Sequence, residues 1–154
     1  MYDVKSITSE RSNDCGATAL KMLLEYYDIK VDLNQLVEEC NTQIFGCTGR
    51  DIMRVSALHG LPLKAYQCKG EDTVDDVIYA DRPGILWWKY RHFVICCGID
   101  DTGRVVICDP DKGRYRLSRG LVASFFSNVV MFNGEPKDFD KKDIKVIDVD
   151  FPWE

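Results

Sequence analysis

Three side chains in the sequence have the chemistry of a nucleophilic site: the thiol of Cys15, the imidazole of His92 and the carboxylate of Asp109. Cys15 opens a helical pattern, and the N-terminus of a helix favours the negative charge of a thiolate. A histidine can then serve as the general base, and a carboxylate can orient it. Each residue alone also fits a structural role, as a buried thiol, a polar strand residue and a turn residue. Together they indicate covalent catalysis through a thiolate.

The sequence between His92 and Asp109 predicts a β-hairpin that brings these two residues together. Two β-rich runs flank the turn segment Asp100–Gly103. If Ile99 pairs with Arg104, His92 and Asp109 become diagonal neighbours on one sheet face, about 7–8 Å apart at the backbone. That spacing allows an Asp–His hydrogen bond, whereas a three-residue loop or a β-bulge would shift the register.

The other cysteines are weaker nucleophile candidates. Cys96, Cys97 and Cys108 fall in predicted strands, where a cysteine usually packs as a small core residue. Cys47 lies in a glycine-rich turn without an activating neighbour, and His59 is more simply a residue at a helix end. No CxxC pair occurs among the seven cysteines. The spacing therefore gives little support for a zinc site, and we expect no metal.

The elements that must position these residues change from helical to extended along the chain. Helical patterns begin near residues 15, 32 and 48 and cover residues 73–79 and 119–126, and extended patterns cover residues 63–68, 85–88, 93–99, 104–108 and 129–132. Asp32 with Gln35 and Thr48 with Asp51 form capping-box patterns, and Gly60 ends the third helix. Helices that precede an antiparallel sheet define the α+β class.

Length and charge limit the remaining possibilities. A chain of 154 residues fits one domain, predicted over residues 1–136, with a charged tail at 137–154 that forms an edge strand or a linker. The tail alternates through Val146, Val149 and Phe151. The net charge of −5 argues against a nucleic-acid partner. An odd number of cysteines, without a signal-peptide core or a membrane-length apolar run, predicts a reduced cytoplasmic protein.

The motif around Cys15 reads Asp14-Cys15-Gly16-Ala17-Thr18-Ala19-Leu20. It resembles the nucleophile motif of the bacteriocin-processing cysteine peptidases, the double-glycine leader peptidase domains of bacteriocin ABC transporters. The resemblance continues through residues 46–60, Pro83-Gly84-Ile85, Arg91-His92-Phe93-Val94-Ile95, and Asp109-Pro110 with Gly113. It covers roughly residues 5–134, nearly the whole predicted domain.

The resemblance implies a papain-like fold, with N-terminal helices packed on an antiparallel sheet. It implies that Cys15 is the nucleophile, that His92 is the general base and acid, and that Asp109 orients His92. It also implies cleavage of a leader peptide after a double-glycine site, for the maturation and export of a bacteriocin-like peptide. This chemistry needs no metal or cofactor.

The resemblance further implies where the substrate and the partners bind. The family's substrates present an amphipathic leader helix to a hydrophobic groove, and Trp87, Trp88 and Tyr90 are the candidates for lining it. The two tryptophans equally fit one core and one surface position. The implied partners are the leader peptide and, if the chain is part of a transporter, membrane and nucleotide-binding domains. ATP would then belong to those domains, and the peptidase would lie at the cytoplasmic face of the membrane.

One position departs from the family pattern. The family places a Gln, an oxyanion-hole donor, six residues before the nucleophile, and here that position is Ser9. Losing one such donor costs about 10²–10³ in rate. Asn13 or Ser12 could replace it, beside the backbone N–H of Cys15. Two alternatives stay open: a binding module of the same fold that docks the leader peptide without cutting it, and a different thiol enzyme such as an acyltransferase or a transglutaminase-like protein.

Overall fold

Five helices and seven strands occur in the part of the chain that the computed structural model describes, residues 1–139 and 142–148. The helices are α1 (Cys15–Tyr26), α2 (Leu33–Glu39), α3 (Gly49–Leu58), α4 (Thr73–Ile78) and α5 (Arg119–Phe125). The strands are β1 (Leu63–Cys68), β2 (Gly84–Trp88), β3 (His92–Ile99), β4 (Val105–Asp109), β5 (Gly113–Leu117), β6 (Phe126–Asn133) and β7 (Ile144–Ile147). Within these described ranges, no helix has the length and apolar character needed to cross a membrane.

The strands form one antiparallel sheet in the order β5-β4-β3-β2-β6-β1-β7. This confirms the α+β class. Strand β5 is absent from the sequence prediction, because it is only five residues long and follows directly on the predicted turn at residues 109–113. Strand β7 lies in the predicted tail and pairs with β1 at the sheet edge. Val149 and Phe151 of the tail pattern lie outside the described residues, and the domain boundary at residue 136 stays a prediction.

Helices cover both faces of the sheet. Helices α1, α2 and α3 pack on one face, where Leu20 of α1 is fully buried, and α4 and α5 pack on the other through Val77 and Val122. Neighbouring strand residues point to opposite faces, so Ile85 joins the first core and Leu86 the second. The central strands are therefore buried on both sides and form a rigid platform for the residues at their ends.

The β3–β4 hairpin differs from the predicted register at its loop. Ile99 pairs with Val105, and the predicted pairing with Arg104 is wrong. The reason is the Asp100 carboxylate, which accepts hydrogen bonds from the backbone N–H groups of Thr102 at 2.8 Å and Arg104 at 3.1 Å. These bonds stabilise a loop of three residues, closed by a 2.9 Å bond from the Asp100 N–H to the Arg104 carbonyl oxygen.

A β-bulge in β3 compensates for that loop. The strand carries one extra residue between Cys96 and Ile99, where Gly98 has a φ of +88° that glycine adopts without strain. Beyond the bulge, Ile95 pairs with Cys108. A hairpin with a four-residue loop and no bulge gives the same pairing at that point. The two deviations cancel, and the register at the far end of the hairpin is the predicted one.

The two predicted capping boxes have different outcomes. Thr48 accepts a hydrogen bond from the Asp51 N–H at 3.2 Å, and the Asp51 carboxylate accepts one from the Thr48 N–H at 3.1 Å, which confirms the box at α3. Gly60 follows this helix with a φ of +86°, as expected. Asp32 is the N-cap residue of α2 but makes no side-chain cap bond, so that prediction is wrong. Burial of Leu36 against the core fixes α2 instead.

Candidate active site

Cys15 is the first residue of α1, so its thiol lies at a helix N-terminus. The carboxylate of the N-cap residue Asp14 makes no cap bond and instead accepts the Arg11 N–H at 3.2 Å. The N–H groups of the first turn are therefore free of a side-chain cap and favour negative charge at the thiol. Gly16 permits the expected close approach of another segment, because the Cys47 sulfur lies 2.5 Å from the position that a Cβ at Gly16 would occupy.

His92 and Asp109 form the predicted hydrogen bond. Nε2 of His92 lies 2.7 Å from Oδ1 of Asp109, at the ends of β3 and β4. Cys15 lines the same cavity as His92 and acts on the imidazole electrostatically. Because Nε2 is engaged by Asp109, Nδ1 is the ring nitrogen left for the sulfur. The structure therefore brings thiol, imidazole and carboxylate together, while the catalytic role of each residue stays a prediction.

A turn of unusual backbone conformation delivers His92 to this position. Tyr90 and Arg91 both have positive φ angles, +65° and +58°, between β2 and β3. The turn closes where Trp88 pairs with His92. The histidine is thus held at the first position of a strand that helix α1 contacts directly.

Asp109 is 3% exposed and is held by three donors. Its Oδ1 accepts from His92 and from the backbone N–H of Asp111 at 2.8 Å, and its Oδ2 accepts from the hydroxyl of Tyr115 at 2.7 Å. Burial opposes ionisation, but these donors outweigh it and lower the pKa of Asp109 below its ordinary value. The carboxylate therefore stays charged beneath the imidazole. Tyr115 is absent from the sequence prediction, although the alternation of Tyr115 and Leu117 with two arginines is typical of a strand.

The neighbours of His92 keep its ring protonated. Burial alone lowers the pKa of His92, but the hydrogen bond to Asp109 and the adjacent Cys15 outweigh burial and raise the pKa to about 10. At neutral pH the ring is therefore an imidazolium that can stabilise a thiolate at Cys15.

The other thiols are less suited to attack a substrate. All seven cysteines are free, and Cys15 and Cys47 are the partly exposed ones. A hydrogen bond with Cys40 and burial raise the pKa of Cys47. Burial raises the pKa of Cys68 to about 12. A hydrogen bond from Cys97, aided by Arg114, lowers the pKa of Cys108 to about 7, but Cys108 is fully buried.

A cavity of about 770 Å³ opens beside Cys15, His92 and Asp109. Its lining includes the apolar and aromatic residues Ile44, Phe45, Trp88, Tyr90, Tyr115, Leu117 and Phe125 and the exposed basic residues Lys89, Arg91, Lys112 and Arg116. Ile44 and Phe45 are 93% and 72% exposed, which is unusual for large apolar side chains and is typical of a binding surface. The cavity therefore offers an apolar wall next to the thiol.

The three predicted groove residues lie in two places. Trp88 is buried, lines the cavity and stacks on Phe125 with ring centroids 5.5 Å apart. Tyr90 lines the same cavity and is 92% exposed. Trp87 points to the other sheet face and lines a second cavity of about 430 Å³ with Phe93. Trp88 and Tyr90 are thus brought to the Cys15 cavity, and Trp87 is not among its lining residues.

The candidate oxyanion-hole donors also lie in two different places. The Ser9 hydroxyl lies 3.3 Å from the Thr18 hydroxyl on α1, and Ser9 is not among the residues that line the cavity. Asn13 and Ser12 line the cavity with Cys15. The Asn13 amide nitrogen donates one hydrogen bond to the Gln43 carbonyl oxygen at 2.7 Å, which leaves its second N–H available.

One group of side chains could in principle bind a metal. Ligand atoms of His92, Asp109 and Asp111 lie within 4.8 Å of one another. The hydrogen bond between His92 and Asp109 already uses one ligand atom of each. A cation bound here would break the hydrogen bond between His92 and Asp109. The expectation of a site without metal stays a prediction.

Solved structures share this fold. A double glycine motif protease from an AMS/PCAT transporter, solved in complex with the leader peptide, matches with a TM-score of 0.78 and 24% identity, over 85% of this chain and 91% of that chain. The peptidase domain of Streptococcus ComA, a bi-functional ABC transporter involved in a quorum sensing pathway, matches with a TM-score of 0.69 and 22% identity, over 84% of this chain and 96% of that chain. The fold is therefore that of the papain-like cysteine peptidases.

The chain belongs to the peptidase C39 family, whose sequence profile matches residues 3–138. Two similar proteins of Escherichia coli are the colicin V secretion/processing ATP-binding protein CvaB, 25% identical, and the probable microcin-H47 secretion/processing ATP-binding protein MchF, 24% identical. Each aligns over 128 residues, 83% of this chain. The chain spans 18% of the length of these relatives.

We expect Cys15 to be the most reactive of the seven thiols, because it combines exposure, a helix N-terminus and a protonated His92. Brief treatment with iodoacetamide at neutral pH, followed by peptide mapping, measures this directly. Cys15 should be alkylated first, and in the denatured chain all seven should react at similar rates. Earlier labelling of Cys47 or Cys68 in the folded protein would contradict the assignment of the nucleophile.

Proposed function

We propose that the protein is a cysteine peptidase that cleaves a leader peptide after a double-glycine site. The observation that supports this most directly is the chain from Cys15 through His92 to Asp109 at the mouth of an apolar cavity. Membership of the peptidase C39 family supports the class of reaction. The leader peptide bound in the structure of one relative supports the class of substrate.

The reaction proceeds in two steps on the Cys15 sulfur. The thiolate attacks the carbonyl carbon of the scissile bond, and the imidazolium of His92 gives its proton to the leaving amine nitrogen. The C–N bond breaks, and the leader remains attached as a thioester. His92, now neutral, takes a proton from water, whose oxygen attacks the thioester. The thiolate leaves, the acid product is released and His92 is protonated again. Asp109 keeps the ring oriented throughout.

The walls of the cavity suit an amphipathic helix that precedes the cleaved bond. Phe45, Trp88 and Phe125 contribute apolar side chains to the lining, and the exposed Lys89 and Lys112 line the same cavity. An amphipathic leader helix would place its apolar face against this wall and its polar face towards solvent. Two small glycines at the end of that helix would let the backbone reach Cys15 without side-chain clashes.

We infer that the peptidase works in the cytoplasm, alongside the membrane and nucleotide-binding domains of an exporter. Both Escherichia coli relatives are secretion/processing ATP-binding proteins, and this chain aligns with a small part of each. Seven free thiols are consistent with a reducing compartment. The proposed cleavage itself uses no ATP, metal or other cofactor, because nucleophile, base and orienting group all come from the chain.

The direct test is incubation with a synthetic leader peptide that continues past Gly-Gly, analysed by mass spectrometry. The protein should release a fragment that ends in Gly-Gly. Replacing His92 with Gln should lower kcat by about 10²–10⁴, because the general acid and base is lost. The matched variant His59→Gln changes the other histidine, which contacts Glu39 at 2.7 Å, and should cleave normally. Binding of the peptide without any cleavage would favour the binding module instead.

The oxyanion hole gives a second prediction. We propose that the Asn13 amide and the Cys15 backbone N–H are its donors, since Asn13 lines the cavity and Ser9 does not. Asn13→Ala should lower kcat by about 10²–10³ with little change in KM, because this contact strengthens mainly in the transition state. Adding Ser9→Gln to Asn13→Ala should restore part of the lost kcat.

Steady-state kinetics on the same leader peptide separates the possibilities. If Asn13→Ala retains full kcat while Ser9→Gln alone raises it, the missing donor belongs at position 9 and the assignment to Asn13 is wrong. Thermal unfolding of each variant serves as the control, because Asn13 also anchors the Gln43 carbonyl.

A further inference from the structure

Strand β5 places a tyrosine directly over the candidate orienting carboxylate. In the β4–β5 pairing, Asp109 is opposite Gly113 and Ile107 is opposite Tyr115. Residues two apart on a strand share a face, so Tyr115 and Asp109 project to the same side. The Tyr115 hydroxyl donates to Oδ2 of Asp109 at 2.7 Å.

The hydrogen bond from Tyr115 fixes Oδ2 of Asp109, the carboxylate oxygen that His92 does not contact. The imidazole and the Asp111 N–H bind Oδ1, and Tyr115 binds Oδ2. A carboxylate held at both oxygens cannot rotate about its own axis. Without Tyr115, both remaining donors converge on one oxygen, and the plane of the carboxylate is free to turn away from the ring.

Tyr115 is suited to act as a permanent donor. Burial and the adjacent Asp109 raise its pKa above the ordinary value for tyrosine, so the hydroxyl stays protonated over the pH range in which a peptidase works. Its ring is half-buried and forms part of the cavity wall. The tyrosine thus touches the orienting carboxylate with its hydroxyl and the cavity with its ring.

We propose that Tyr115 is a positioning residue for the cysteine peptidase reaction, which holds the Asp109 carboxylate in the plane that keeps His92 aligned with Cys15. This inference rests on the proposed function for its effect on catalysis. It goes beyond that function because it adds a fourth member to the chain of side chains, contributed by a strand that carries no other member. Tyr115 acts through Asp109 and does not touch the reacting atoms.

The test compares Tyr115→Phe with Tyr2→Phe. The first variant keeps the ring in the cavity wall and removes only the hydroxyl. The second removes a hydroxyl bond of similar length, 2.6 Å to the Ala80 carbonyl oxygen, outside the cavity lining. Two readouts are measured: the rate of Cys15 alkylation by iodoacetamide from pH 4 to 9, and kcat and KM on a synthetic peptide cleaved after Gly-Gly.

Tyr115→Phe should lower kcat about tenfold with KM within about twofold, since a hydrogen bond to an ionised group is lost without a change in the groove. The acid limb of the alkylation profile should also move to higher pH. Loss of a donor raises the pKa of Asp109, so its carboxylate is protonated sooner as the pH falls and ceases to support the His92 imidazolium. Tyr2→Phe should change neither readout.

The two readouts distinguish failure of this proposal from failure of the proposed function. If no peptide is cleaved but the alkylation profile of Tyr115→Phe shifts, the positioning role stands and the peptidase assignment fails. If Tyr115→Phe matches the unmodified protein in its alkylation profile and in kcat, the tyrosine only packs and the proposal is overturned. A shift of equal size in Tyr2→Phe would likewise overturn it, since the effect would then be one of general stability.

Discussion

The candidate site depends on one hydrogen bond, the 2.7 Å contact between His92 and Asp109. It exists because β3 and β4 pair in a register that brings their ends together beside the N-terminus of α1. The strands themselves are buried on both faces, so the register cannot slip without exposing a core. Helix α1 packs directly on β3, which fixes the distance from thiol to imidazole by packing rather than by a flexible loop.

The charge states of Asp109 and His92 follow from their placement side by side. The donors around Asp109 keep its carboxylate charged although it is almost fully buried. This negative charge raises the pKa of His92 and so keeps the ring protonated. The imidazolium lines the same cavity as the Cys15 thiol, which lies at the N-terminus of α1. Burial has the opposite effect on Cys68 and Cys96, whose pKa values rise to about 12 and about 11. One chain with seven cysteines can thereby activate a single thiol at its surface.

The sequence predicts the positions of the thiol, the imidazole and the carboxylate because each lies at the end of an element with a clear pattern. It placed His92 against Asp109 through a register that was wrong at Ile99 and right near the site, since the three-residue loop and the bulge at Gly98 cancel. This compensation depends on the hydrogen bonds of the Asp100 carboxylate and on packing in three dimensions. The spacing of apolar and polar residues in the sequence indicates neither. Strand β5 and Tyr115 are absent from the sequence prediction because the strand is short and begins at the end of the predicted turn, residues 109–113. The residues that line the cavity come from segments that are distant in sequence. No local sequence pattern predicts that these segments lie close together in the fold.

The most direct measurement of the central claim is an NMR titration of the His92 imidazole. The chain has two histidines, so the variant His59→Gln leaves His92 as the only imidazole to observe. The Asp109 carboxylate and the adjacent Cys15 raise the pKa of His92, so the ring should stay protonated through neutral pH and lose its proton at about pH 10. Deprotonation near the ordinary histidine pKa of about 6.5 would contradict the account, because His92 would then be neutral at pH 7 and no imidazolium would support a thiolate at Cys15.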